Sequence, residues 1–328
     1  MPHSHRLSSL LCRAILLLWT AALPLQLLAA ASSPQELLAA GRVDDALRLL
    51  LPLATGNNAE AYNYLGRVYY SMGEWDDAVR NCERAAQLAP GNAEFHLWMG
   101  RSYGEKANVS TPLTAYSLAR KTVAAFELAH SLDRRSIPIA RDLGEYYATA
   151  PGVVGGGSGK ALALADEMAK EAPSLAAWFR AMAASHEGNY EEAERQYQES
   201  IRLEGDSADT QLELARFLRG RKQWKRFQST VEHALRSPRI RPEDRYDAAE
   251  LLLRTNRNLP EAARQMRMYI QSGHPVEDAP MFRAHAILGD ILLKTGDTTQ
   301  AAAEYRAALA LAGNYRPAAN ALHRLGQR

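Results

Sequence analysis

The sequence predicts an all-helical solenoid, a stack of about eight antiparallel helix pairs closed by one capping helix. Three observations predict it. Ala, Leu, Glu and Arg dominate a composition that is 47 % hydrophobic, and no alternating apolar run is sustained. The stretch from Ala59 to Asn92 carries a dense pattern of aromatic, small and apolar residues that fits one helix–turn–helix unit. Partial copies of that pattern return at intervals of roughly 34 residues.

In the Ala59–Asn92 unit each position has a physical task. Tyr62, Leu65 and Tyr69 share one face of a first helix. Gly66 lacks a side chain, so a second helix can approach closely. Gly73 ends the first helix. Ala78, Cys82 and Ala85 make a small-residue stripe on the second helix, which Pro90 stops. Tyr62-x2-Leu65-Gly66-x2-Tyr69, followed by Ala78, Cys82, Ala85 and Pro90, resembles the tetratricopeptide repeat. The resemblance implies a right-handed superhelix with a concave binding surface.

The other units follow in order. A first repeat is marked by Gly41, Ala46, Leu50 and Leu53, with a short first helix near Pro34 to Ala40. Repeat three opens with His96, Met99-Gly100 and Tyr103. Its second helix, marked by Thr122, Phe126 and Ala129, is displaced by an insertion near 105–114. Repeat four has Leu143-Gly144, Tyr147, Ala161, Ala165 and Met168, with an insertion at 150–160. Repeat five has Gly188-Asn189-Tyr190, Ala193 and Tyr197. Repeats six and seven are weaker, and repeat eight recovers the pattern in Leu288-Gly289, Gly296, Ala301 and Tyr305. A last helix near Arg316 to Leu325 caps the stack. The run Tyr146-Tyr147-x2-Ala150-Pro151-Gly152-x2-Gly155-Gly156 also resembles exported bacterial repeat proteins and the repeat domain of regulators of microtubule dynamics. It implies no microtubule role.

Residues 1–31 read as an export leader. Arg6 and Arg13 precede an apolar run from Ala14 to Leu28, and Ala29-Ala30-Ala31 offers a cleavage site. An uncleaved membrane anchor is the alternative. Either way the repeats at 32–328 are expected outside the cytoplasm, in the periplasm or secreted. Without the two leader arginines, 37 of the 39 basic residues face 37 acidic ones, so global charge gives no case for nucleic acid. Two cysteines, one of them in the leader, leave the redox compartment undetermined.

Candidate sites fall into three groups. The family's concave positions correspond to Asn63, Arg67, Tyr70, Leu97, Arg101, Glu105, Arg141, Glu145, Trp178, Met182 and His186. Three arginines at matching heights suit a carboxylate or an acidic peptide, with Trp178 and Met182 as an apolar pocket beside them. The plainer alternative is a solvated groove in which the arginines pair with Glu105 and Glu145. The family's clamp of Lys and Asn residues is not reproduced by Asn63 alone. The second group is the pair of insertions, with Glu105, Gly155, Gly156, Gly157 and Lys160. Both occupy turns on one edge of the stack, where they should touch and form a knob for a partner. Gly159-Lys160-Ala161 lacks the Ser/Thr and the preceding strand of a phosphate loop, so the alternative to a binding loop is a flexible turn. The third group is segment 216–245, with ten basic residues against three acidic ones, a net of +7. It suits anionic lipid headgroups or an acidic partner, with an ordinary solvated face as the alternative.

No metal-ligand spacing, nucleophile elbow or cofactor motif is present in the sequence. The expectation is therefore a non-catalytic scaffold without a cofactor, holding a protein or peptide partner in the groove or at the knob. The alternatives are a membrane-tethered assembly factor using the basic segment and an enzyme accessory subunit.

Overall fold

The computed structural model describes residues 32–326, which form seventeen α-helices and one 3-10 turn. The leader reading falls on residues 1–31, outside the described residues. The helices are α1 (Pro34–Ala39), α2 (Val43–Leu50), α3 (Ala59–Met72), α4 (Trp75–Leu88), α5 (Ala93–Asn108), α6 (Pro112–Leu132), α7 (Ile137–Thr149), α8 (Ser158–Met168) and α9 (Pro173–His186). They continue as α10 (Tyr190–Leu203), α11 (Ala208–Gly220), α12 (Trp224–Ala234), α13 (Pro242–Thr255), α14 (Leu259–Gln271), α15 (Met281–Lys294), α16 (Thr298–Leu311) and α17 (Arg316–Arg324). Consecutive helices pair, giving eight hairpins and a capping helix.

Local chemistry sets the helix ends. The side chains of Asn58, Asn92, Asn189, Ser207 and Asp297 accept hydrogen bonds from backbone N–H groups in the first turns of α3, α5, α10, α11 and α16. Gly73 adopts φ 77 and caps α3 in the left-handed region.

Close approach sets the hairpins. A Cβ added at Gly66 would collide with Cys82 Sγ, which is why the Leu-Gly step and the small-residue stripe face each other. Gly289 stands in the same relation to Tyr305. Repeat four departs from this pattern. A Cβ at Gly144 would strike the ring of Phe179, which lies on the first helix of the next repeat. Residues 150–157 of the insertion connect α7 to α8, residues 158–160 open α8, and α9 packs directly on α7 as well.

The insertions are more regular than the sequence spacing predicts. Residues 105–108 continue α5, and α6 begins at Pro112, so the added length of repeat three is helical. Glu105 therefore sits on a helix and not on a loop. Only the 150–160 insertion is loop-like. It contains the 3-10 turn Gly152–Val154 and folds back onto α6, where Tyr146 Oη donates to the carbonyls of Ala119 (2.7 Å) and Val154 (2.9 Å). The two insertions meet across one cavity, lined by Glu105, Ala107 and Asn108 on one side and by Ala150, Pro151 and Val154 on the other.

The first and last repeats meet, so the stack closes on itself. Phe282 is fully buried in one cluster with Leu37, Leu38, Val43 and Leu50, and its ring meets Tyr315 edge-on. The Asp44 carboxylate accepts the Gly313 N–H at 3.0 Å, and Arg316 Nε donates to Glu74 at 2.8 Å. A solenoid normally leaves its two ends apart, held only by nearest neighbours. Here the end repeats share a core.

Candidate functional site

The wall of the groove is built by the first helices of repeats two to six. Arg67 on α3 is clamped between Tyr64 and Trp98, with its guanidinium 4.9 Å from each ring centroid. Arg101, two turns along α5, lies over the same Trp98 at 4.6 Å. Arg141 on α7 lies over Trp178 at 4.6 Å. Cation–π stacking fixes the guanidinium planes, leaving the N–H edges to meet carboxylates.

Those edges are already engaged within the chain. Arg67 is only 7 % exposed and holds both oxygens of Glu277, through Nε at 2.8 Å and through Nη2, with Glu94 at 2.7 Å on Nη1. Arg101 binds Asp142 on α7. Arg141 reaches Glu213 at 2.7 Å and Asp209 at 3.7 Å on α11. The partners are thus Glu277, Asp142 and Glu213, where the sequence alternative named Glu105 and Glu145. Desolvation opposes the charge on Arg101, but Asp142 and Asp278 more than offset it and its pKa is raised.

A cavity of about 650 Å³ opens between this wall and the two insertions. Tyr70, Arg101, Glu105, Arg141, Glu145 and Val154 are among its lining residues, so groove and insertion candidates share one concavity. Glu145 is open to water in the groove, yet its carboxyl is held above the ordinary range by desolvation and by repulsion from Glu213 and Asp142. Burial likewise raises the Tyr70 hydroxyl, whose ring is packed edge-on between Trp75 and Trp98.

The remaining candidates fall elsewhere. Asn63 is buried at 2 % exposure, and Met182 and Trp178 are also buried; Trp178 lines a cavity of about 430 Å³ with Arg141 and Glu213. His186 is exposed at the end of α9. Gly155 lies against Val123 of α6, Gly156 against the Ala150 backbone, and the Gly157 N–H donates to the Tyr147 carbonyl at 2.7 Å. Lys160 bonds Glu127 at 3.1 Å and the Gly155 carbonyl at 3.0 Å and lies over Tyr147, so its ammonium fastens the loop to α6.

The basic segment 216–245 does not form one patch. Arg216 binds Glu213 and Asp247, Arg226 binds Glu194, and Arg241 binds Asp244. Arg239 donates to the carbonyls of Glu204 and Gly205, and Arg245 to Gln265. Lys222, Lys225 and Arg236 remain exposed.

Sequence reasoning missed the acids that occupy the groove. Glu277 and Asp278 lie in the connection between α14 and α15, residues 272–280. The only signal was length, because most repeats are joined by shorter turns, as between Leu88 and Ala93. Trp98, the shared platform of Arg67 and Arg101, was missed as well.

Models of the tetratricopeptide repeat match residues 59–92 and 246–316. These segments hold the Gly66–Cys82 and Gly289–Tyr305 contacts described above. The chain carries tetratricopeptide repeats. A solved structure at 15 % identity shows the same fold class. Yeast Tom70 matches with TM-score 0.50 and 15 % identity over 86 % of this chain and 57 % of its own, so this chain spans little more than half of Tom70. A thermophilic tetratricopeptide protein of Thermus thermophilus matches at 20 % identity over 56 % of this chain and 97 % of its own, with TM-score 0.45. One from Parabacteroides merdae matches at 15 % identity over 82 % and 98 %, with TM-score 0.39. No curated protein matches the chain.

Among the described residues no helix is long and apolar enough to cross a membrane, and no cluster of His, Cys, Asp and Glu could hold a metal.

Proposed function

We propose that this tetratricopeptide protein is an exported, non-catalytic scaffold that holds an acidic segment of a partner protein in its groove. The observation that carries this reading is the ladder Tyr64–Arg67–Trp98–Arg101, continued by Arg141 on Trp178. Stacked guanidinium groups are a pre-organised reader of carboxylates, because their planes are fixed before the ligand arrives. The adjoining 650 Å³ cavity, with Tyr70 and Glu145 among its walls, gives room for a neighbouring side chain. Export rests on Arg6, Arg13, the apolar run and Ala29–Ala31.

The test is affinity capture from envelope extract with the full chain as bait, followed by cross-linking to place the contact. The control bait carries Arg101→Ala and Arg141→Ala. A partner that cross-links to α5 or α7 and is lost from the control supports the groove. Equal capture by both baits overturns it and moves attention to the outer face. Amino-terminal sequencing checks export, with a mature start at Ala31 or Ser32 expected and a retained Met1 against it.

A further inference from the structure

The groove is not empty, and its occupant is part of the chain. Residues 272–280 leave α14 and fold into a tight turn in which the Ala279 N–H donates to the Val276 carbonyl at 3.1 Å. Glu277 and Asp278 form its tip. The base of the turn is tied to its own repeat by the fully buried Tyr269, whose hydroxyl donates to the Ala279 carbonyl and accepts from the Val276 N–H at 3.3 Å. The tip points away from that repeat. Both Glu277 oxygens go to Arg67, 210 residues earlier in the chain, and Asp278 adds to the field that holds Arg101 charged. Space remains on either side of the tip. A cavity of about 410 Å³ borders Val276, Glu277 and Asp278 together with Trp98 and Ile139, and Asp278 also borders the 650 Å³ cavity.

We propose that the Val276-Glu277-Asp278 turn is a cis-acting competitor that occupies the recognition site of the groove, and that a partner segment carrying two consecutive acidic residues after an apolar one displaces it. This deepens the scaffold reading and rests on it. The anchor and the acids are separable, since Tyr269 holds the backbone at the base of the turn while the Glu277 carboxylate makes the contact with Arg67 and Val276 borders the cavity beside it. Exchange therefore needs the tip to lift, not a repeat to unfold. A tethered ligand competes at an effective concentration on the order of millimolar, so a free segment meets a strongly raised apparent Kd until the tip is released. Buried Arg67 also demands a carboxylate at all times, because an unpaired guanidinium there is costly. Self-occupancy meets that demand when the partner is absent.

The probe is a fluorescein-labelled peptide with the sequence of residues 272–280, followed by anisotropy against the full chain. A control peptide has lysine in place of both acids. Glu277→Gln with Asp278→Asn keeps the shape of the turn and removes its charge; this variant is expected to bind the acidic peptide at least tenfold more tightly than the unaltered chain. Adding Arg101→Ala should cost at least tenfold of that gain, and the lysine peptide should not bind. Tyr269→Phe loosens the base without touching the groove and is expected to raise affinity severalfold, which keeps the inference testable if the double variant loses helix by circular dichroism. Unchanged affinity in the folded loop variants, or equal binding of the lysine peptide, overturns the inference. Those outcomes with a partner still cross-linked to α5 or α7 would leave the scaffold reading standing. Peptide binding without any captured partner would do the reverse.

Discussion

Two walls of this solenoid carry arginines, and they differ in where the arginines find their acids. On the α3–α5 side, Arg67 meets Glu277 from the opposite end of the chain. On the α11–α13 side, Arg216, Arg226 and Arg241 meet acids on the same or a neighbouring helix. The first kind of pair can form only if the stack closes. The second needs only a helix's own first turn or the stacking of adjacent repeats. Burial follows the same division, since the Arg67 side chain is 8 % exposed and that of Arg226 is 49 % exposed. The Arg67–Glu277 pair therefore reports closure and recognition, whereas an exposed pair such as Arg226–Glu194 reports mainly solubility.

The strongest way to break the contrast is to remove the closure itself. Phe282→Ala empties a fully buried site shared by the first and last repeats and should cost about 3–5 kcal/mol in a urea titration. A loss below about 1 kcal/mol would mean that the ends do not depend on the seam. Next comes Arg67→Ala, which leaves the Glu277 carboxylate without its buried partner and should cost about 3 kcal/mol by the same titration. An unchanged midpoint would separate closure from this ion pair.

Two smaller effects sharpen the other wall. Asp247 lies in a crowded part of the groove, where desolvation first, and then Asp209 and Glu250, push its pKa from 3.8 up to about 6 against the pull of Arg216. The folded chain holds this proton more tightly than the unfolded one, so the contribution is complete below pH 3.8 and is lost as pH rises through about 6. Half-exposed, it should amount to about 1 kcal/mol after screening. Asp247→Asn should flatten the stability profile across that window, and an identical slope in variant and wild type would contradict the assignment. Arg226→Ala opens an exposed pair with Glu194 and should cost under about 1 kcal/mol by thermal melting. A loss comparable to that of Arg67→Ala would erase the contrast.

The contrast also marks what could be read early. Local facts were legible. The Leu65-Gly66 step announced the close approach to Cys82, Gly73 the end of α3, and Pro90 the end of α4, because each acts over a few residues through sterics or a missing N–H. The matching heights of Arg67, Arg101 and Arg141 followed from the repeat period. Buried Asn63 and Met182 were misplaced as groove contacts, since periodicity gives a face of a helix but not what covers that face. The Glu105 insertion was read as a loop because a gap in a pattern does not say whether the added residues continue the helix.

The sequence by itself determined the helix pairs, their caps and the repeat that makes this a tetratricopeptide protein, because those depend on contacts within a span of some 34 residues. Only the tertiary structure decided that the stack closes and that Glu277 sits on Arg67. Small rotations accumulate from repeat to repeat, and their sum, which no single motif encodes, brings residues 210 positions apart into one ion pair.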